Sequence, residues 1–258
     1  MQQASRTGRK GAPAQAVAGA ARADRTLGSR VSALLREQLI RGTFQPGDKL
    51  SLRSLDQEFG VSVQPVRHAV AGLIGDEALE VAPNRAVRVP IMTASKFDEL
   101  TAIRLTIEGF AVETAARTRS AADLATIRRC DRDFRRECRA AAPNAERAVR
   151  ANQALHFAAY RAAGMPALMA IIERLWLRIG PVLNLDMRAS PQRLQMGLAE
   201  ACHAALLSAM ETGSGAKARA ALEKDIRTAA AFIRSRGILF QSPATSAPAG
   251  PRHRAAAG

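Results

Sequence analysis

Between Ser51 and Ile91 the chain reads SLRSLDQEFGVSVQPVRHAVAGLIGDEALEVAPNRAVRVPI, and this stretch leaves few folds open. Pro65 stands in an apolar repeat of helical period that runs on to Leu73 and Ile74. Inside a helix a proline removes a backbone donor and clashes with the preceding turn, at a cost of about 3 kcal/mol. It is tolerated in the first turn, where no intrahelical N–H bond is needed. The helix therefore begins at Val63, with Ser62 as its N-cap. Before it, SLRSLDQEF reads as a short helix capped by Ser51, and Gly60 stands where a left-handed cap is needed. After it, ALEVAPNRAVRVPI alternates about a Pro-Asn turn, the pattern of a two-stranded hairpin. Two short helices joined by FGVS and followed by a hairpin make a winged helix-turn-helix. A third helical stripe, with apolar residues at 27, 31, 34, 35 and 39, precedes the unit, and TFQPGDKL stops it.

In a helix-turn-helix the second helix enters the major groove by its N-terminal end. Gln64 and Arg67 lie three apart and His68 lies four from Gln64, so all three share that end and face. Arg and Gln suit base edges and phosphates. Arg85 and Arg88 in the hairpin are placed for backbone contacts. An ordinary helical hairpin with a solvated face fits the same spacing. The formal net charge of +15 over 258 residues favours an anionic partner, nucleic acid before membrane. Residues 1–26 carry Arg6, Arg9, Lys10, Arg22 and Arg25 against Asp24 alone and read as a disordered basic arm. Residues 241–258 read as a disordered tail. No apolar run approaches 18 residues, so no membrane span is expected. The N-terminus lacks the apolar segment of a secretion signal. Cys130, Cys138 and Cys202 form no CxxC pair. A cytoplasmic protein fits these features.

From Thr93 onward the strand signal disappears. Helices are expected at 94–118, 121–140, 145–163, 166–186, 190–211 and 216–235, broken at AAPN, AGMP, RASP and ETGSG. Six helices with short connections imply an all-α bundle over 94–240, beside the winged domain at 27–91. The fold class is thus mostly α: a winged helix-turn-helix followed by a helical-bundle ligand-binding domain. Arg104 and Glu108 stand at i and i+4, and an exposed salt bridge would explain them. Asn152 and His156 also stand at i and i+4, on one helix face. His203 lies among alanines and leucines with its ring inward, and Asp225 follows 22 residues later across the ETGSG turn. Adjacent antiparallel helices would bring these four together. Two imidazoles, a carboxylate and an amide oxygen suit a divalent ion such as Zn, Ni or Mn. A hydrogen-bonded polar group in an Ala-rich core is the simpler reading of either histidine taken alone.

The segment from Ile40 to Val89, IRGTFQPGDKLSLRSLDQEFGVSVQPVRHAVAGLIGDEALEVAPNRAVRV, resembles the winged domain of GntR-type transcriptional regulators. The resemblance rests on the PG..L turn, the GVS..PVR core and the PNR..V wing. It implies operator contacts from an arginine of the second helix, two of the recognition helix and the wing tip. Those positions are Arg53, Val63, Arg67, and Asn84, Arg85 and Ala86. Val63, His68 and Ala86 stand where the family usually has arginine, glutamate and glycine. Residues 94–236 are loosely similar to the FCD ligand-binding domain of one GntR subfamily. The stretch RLTIEGFAVETAA implies an effector contact for Arg104. The family's D..FH pattern and its two later histidines imply metal ligands at Asn152, His156, His203 and Asp225. Asparagine replaces the family aspartate at 152, and aspartate the family histidine at 225.

Together these readings point to a homodimeric DNA-binding regulator, a repressor, controlled by a small carboxylate (an organic or sugar acid) bound in the helical domain with a divalent ion. Two half-sites of operator DNA require the two-fold protein. A metal-dependent enzyme is one alternative; against it, no carboxylate besides Asp225 presents itself as a general base, though Glu200 lies three residues before His203 on roughly the same face. A non-specific architectural DNA-binding protein is the other.

Overall fold

The computed structural model describes residues 27–189, 194 and 196–240. The basic arm and the tail expected at the two ends lie outside the described residues.

Helix α1 (residues 27–40) buries Val31, Leu35 and Leu39 of its expected stripe, while Leu27 and Leu34 stay at its exposed edge. The chain then turns at Gly42, whose φ of 62° is the left-handed conformation that ends a helix cheaply only for glycine. Helix α2 (Leu52–Phe59) starts as the sequence predicts: the Ser51 side chain accepts from the Ser54 amide, and Gly60 closes the helix at φ 62°. Helix α3 (Val63–Gly75) begins at the predicted residue, and Pro65 is buried in its first turn. Ser62 has extended cap geometry, but its side chain makes no capping hydrogen bond, contrary to expectation.

The wing contains β2 (Glu80–Val81) and β3 (Val87–Arg88), preceded in the chain by a strand the sequence did not announce, β1 (Lys49–Leu50). The three form an antiparallel sheet in the order β1-β3-β2, with Lys49 opposite Arg88 and Leu50 opposite Val87. A two-residue strand is too short to show alternation, and its partner lies far along the chain. At the wing tip the left-handed residue is Arg85, at φ 63°, and Asn84 Oδ1 accepts from the Ala86 amide. The Arg85 amide donates to the Ala82 carbonyl at 2.8 Å, so the predicted Pro83-Asn84 pair forms the centre of the turn.

The remaining helices are α4 (Ala94–Thr118), α5 (Ala121–Cys138), α6 (Ala145–Arg161), α7 (Pro166–Ala189), α8 (Leu198–Glu211) and α9 (Gly215–Ser235). Polar caps define their starts: Thr93 accepts from Lys96, Ser120 and Asp123 make a reciprocal capping box, and Asn144 accepts from Arg147. The expected helix 190–211 is corrected to α8, because Gly197 at φ 68° cannot continue a helix. Helix α9 packs along α4 and α8, and α5 along α6. One apolar core runs from Val31 and Leu35 in α1, through Val112 and Leu155, to Trp176 in α7 and Ile226 in α9. The two domains are therefore not beads on a linker. Asp76 and Glu77, at the end of α3, pair with Arg174 at 3.1 Å and Arg178 at 3.0 Å on α7. Beyond β3, the Met92 carbonyl accepts from Phe240, whose own carbonyl accepts from Ala94.

Candidate functional site

Four helices of the bundle meet around a buried polar line in an otherwise apolar core. Helix α4 supplies Arg104 and Glu108, one turn apart and facing inward. Both are buried, so the exposed salt bridge expected from their spacing is corrected to an interior one. Arg104 Nε donates to Glu108 Oε1 at 2.6 Å and its Nη2 to Oε2 at 3.1 Å. Burial works against the guanidinium charge, but Glu108's charge and hydrogen bonds outweigh it and raise its pKa above the ordinary arginine value. The same guanidinium lies 5.2 Å from the ring centre of Trp176.

The line continues through α6. The Tyr160 hydroxyl donates to Glu108 Oε2 at 2.5 Å, and His156 Nδ1 lies 3.0 Å from that hydroxyl. Burial first, then the Glu108 charge, pushes the phenol well above its usual pKa, so it keeps its proton. A hydroxyl has one hydrogen, and Glu108 receives it. The Tyr160 oxygen can therefore only accept from His156, which places a proton on Nδ1. In a neutral imidazole Nε2 then carries a lone pair. It faces Asp225 Oδ2 of α9 at 3.3 Å. Two acceptors at that distance require a cation between them, either a proton or a metal ion.

His203 of α8 decides what that cation can do. Its Nε2 lies 3.9 Å from the same Asp225 oxygen, and both of its ring nitrogens are buried without a hydrogen-bond partner. Burial lowers its pKa to about 4, against the pull of Asp225, so the ring is neutral near pH 7. A buried polar atom left unpaired costs about 1–3 kcal/mol. The ligand atoms of His156, His203 and Asp225 all lie within 4.8 Å of one another. Metal–ligand bonds of about 2.0–2.2 Å in a tetrahedral shell set ligands roughly 3.3–3.6 Å apart. The triad fits a divalent ion after small adjustments, and Tyr160 orients His156 as the outer shell of such sites does.

Arg104, Asn152, His156, Trp176 and Asp225 line a small cavity of about 50 Å3, with Leu183, Asn184, Met187, Leu194, Ala199 and Ile226 around its rim. The predicted Asn152 thus reaches the same cavity, half-buried, beside the triad. Sequence reasoning missed Glu108's interior role, Tyr160, Trp176 and Asn184. Tyr160 had a signal, lying one helical turn after His156. Trp176 and Asn184 come from a helix whose face could not be ordered without the packing. Glu200 is paired with Arg139, so the candidate general base is committed elsewhere.

In the winged domain, Arg53, Gln64, Arg67, His68, Asn84 and Arg85 are all exposed, on α2, the first half of α3 and the wing tip. Arg88 differs: its Nε donates to Glu80 Oε1 at 2.7 Å across the hairpin.

An exposed recognition helix with a wing, joined to a helical bundle with a buried polar cluster beside a cavity, defines a ligand-responsive DNA-binding regulator. Residues 27–89 match the model of the family described as bacterial regulatory proteins, gntR family, and residues 99–228 match the FCD domain. The chain belongs to the GntR family, in the subfamily with an FCD domain, and is a regulatory rather than a catalytic protein. It is 33% identical over 150 residues to the HTH-type transcriptional regulator McbR of Escherichia coli K12, which covers 58% of this chain and 67% of that protein. The solved structure of E. coli McbR/YncC superposes with a TM-score of 0.75 at 28% identity, covering 82% of this chain and 98% of the other. Over 81 residues, 31% of this chain and 37% of the other, it is 28% identical to the HTH-type transcriptional repressor GlaR of E. coli K12. Among the described residues no helix is long and apolar enough to cross a membrane.

Proposed function

We propose that this regulator acts in the cytoplasm as a homodimeric repressor, and that a small organic or sugar acid bound beside a divalent ion changes its affinity for operator DNA. DNA contacts come from Arg53, Gln64, Arg67, His68, Asn84 and Arg85, within a winged domain spanning 27–91. In the effector domain, 94–240, the ion is held by His156, His203 and Asp225, with Asn152 completing the shell. Arg104 lies beside the effector. The repressor sense follows GlaR, named a repressor.

One observation carries the reading: Nε2 of His156, on the cavity wall, and Nε2 of the buried, partnerless His203 converge on one oxygen of Asp225. Without a cation the cavity's one arginine, Arg104, is already paired with Glu108 and faces Asp225 across the cavity, a poor host for an anion. A divalent ion reverses that balance and opens coordination positions for a carboxylate. The test is a thermal-shift screen of organic acids with and without Zn2+, Ni2+ or Mn2+. A ligand at 100 times its Kd adds about 2.7 kcal/mol of stability. An acid that stabilises the protein only with metal supports the reading, and no stabilisation by any metal or acid removes it.

A further inference from the structure

Helix α7 is the wall the two domains share. On one side it faces the cavity with Trp176, Leu183, Asn184 and Met187. On the other it receives the C-terminal end of α1. The last carbonyls of a helix have no intrahelical donor and need other partners. In α1 the carbonyls of Glu37, Gln38 and Leu39 are taken by the amides of Arg41, Thr43 and Gly42. The Ile40 carbonyl is taken across the domain boundary by Asn184 Nδ2, at 2.5 Å. Asn184 is buried, so this bond is sheltered from water.

The sequence is shaped around this contact. A Cβ on Gly180 would come within 2.6 Å of the Ile40 carbonyl oxygen, and one on Gly42 within 2.7 Å of Asn184 Cβ. Real side chains do not tolerate such approaches, so the two glycines let α1 seat on α7 at backbone distance. Pro181 follows at once and lacks the N–H that would close onto the Leu177 carbonyl, which loosens α7 beside the contact. The amide that caps the DNA-binding domain's first helix is therefore also a polar group on the effector cavity's wall.

We propose that Asn184 is the positioning residue through which the cavity speaks to the DNA-binding domain: an anionic effector draws its amide away from the Ile40 carbonyl and unseats α1. This rests on the organic-acid reading above. A carboxylate is a stronger acceptor than a peptide carbonyl, so one placed in the cavity competes for Nδ2. The Ile40 carbonyl, buried against α7, then has to find water, and the end of α1 moves with the winged domain it belongs to. Arg174–Asp76 and Arg178–Glu77 lie on the same interface and shift with it.

The experiment uses full-length protein, a DNA duplex selected by it from a random pool, and acetate, succinate, benzoate and gluconate as probes, each with Zn2+. The probe that most raises the wild-type melting temperature is carried forward at saturation. In wild type it changes DNA affinity by roughly 5–150-fold, the usual range of such coupling. In Asn184→Ala, and in Asn184→Leu, which roughly keeps the volume but removes the donor, the melting shift at saturation shrinks by the one lost hydrogen bond yet remains measurable, and the affinity change falls below about twofold on that scale. Hydrogen exchange in wild type gives a second reading: the probe accelerates exchange at the Arg41, Gly42 and Thr43 amides. Variants that bind the probe and answer with the full wild-type change in DNA affinity overturn the proposal and leave the sensor reading intact, as does exchange at those amides that the probe leaves unaltered. If no probe shifts the melting temperature, the sensor reading itself falls and takes this one with it.

Discussion

Replacing Glu108 with glutamine isolates the charge at the centre of the bundle with almost no change of shape. Glu108 is fully buried and accepts both nitrogens of Arg104 and the Tyr160 hydroxyl. Removing one charge of a buried pair leaves the other uncompensated, at a cost of about 3–5 kcal/mol. Glutamine keeps one carbonyl acceptor, and Trp176 still faces the guanidinium, so the lower end, about 3 kcal/mol, is expected. At roughly 2–4 °C per kcal/mol for a chain of this size, the melting temperature falls by roughly 6–12 °C. The substitution also frees Arg104 on the cavity wall. A small carboxylate such as acetate can replace the lost partner, so acetate restores more stability to Glu108→Gln than to wild type. Circular dichroism melts with and without acetate measure both effects. A fall of less than about 2 °C, a change worth at most 1 kcal/mol, would show that the pair is solvated rather than interior.

Arg67→Ala, on the exposed face of α3, weakens binding to selected DNA by roughly 1–3 kcal/mol without altering the melting temperature; a mobility-shift titration checks it, and unchanged affinity refutes the contact. His156→Ala and His203→Ala each lower the bound metal of protein purified without tag or chelator, read by elemental analysis; equal metal content in all three proteins refutes the triad. In metal-stripped protein, His203 gives a pH signature. Its folded pKa is lowered to about 4 by burial while the unfolded value is near 6.5, so between these values only the unfolded chain binds the proton. The stability it contributes is complete above about pH 6.5 and declines as the pH falls toward 4, by roughly 3 kcal/mol in all. Urea unfolding at pH 7.5, 5.5 and 4.5 in chelator tests this, and a flat profile refutes it. Deleting residues 1–26 lowers the salt slope of DNA binding while preserving sequence preference, which also separates a specific regulator from an architectural protein.

The winged domain was legible because its signals are local. Pro65 can only sit in a first turn, Gly60 can only close a helix, and the PNR tip can only reverse a hairpin. The strand at Lys49–Leu50 was not legible, since its pairing with β3 is decided by the folded wing. In the effector domain the periodicity gave α4 to the residue, and helical spacing put Asn152 with His156. It could not show that Arg104 and Glu108 face inward. An Arg/Glu pair at i and i+4 has the same pattern on either face, and only the packing of Trp176 and Tyr160 against it distinguishes them. Asn184 was invisible for a stronger reason: its partner is a backbone carbonyl, which any residue at position 40 would offer.

The placement of α7 ties these parts into one mechanism. A ligand can shift an equilibrium only by its differential affinity for the two states, so the cavity must contain something that differs between them. The Arg104–Glu108–Tyr160–His156 line is poorly suited to that role, because each member is buried and held by the next. On the metal reading proposed above, Asp225 and His203 answer to the ion rather than to the winged domain. Among the residues lining the cavity, Asn184 is the one whose hydrogen bond ends in α1. The glycines at 42 and 180 make the seating close enough that a small displacement is felt, and Pro181 removes the helical bond that would resist it. In the mechanism proposed above, the rigid polar line holds the ligand in place, while the Asn184 amide exchanges between the ligand and the DNA-binding domain.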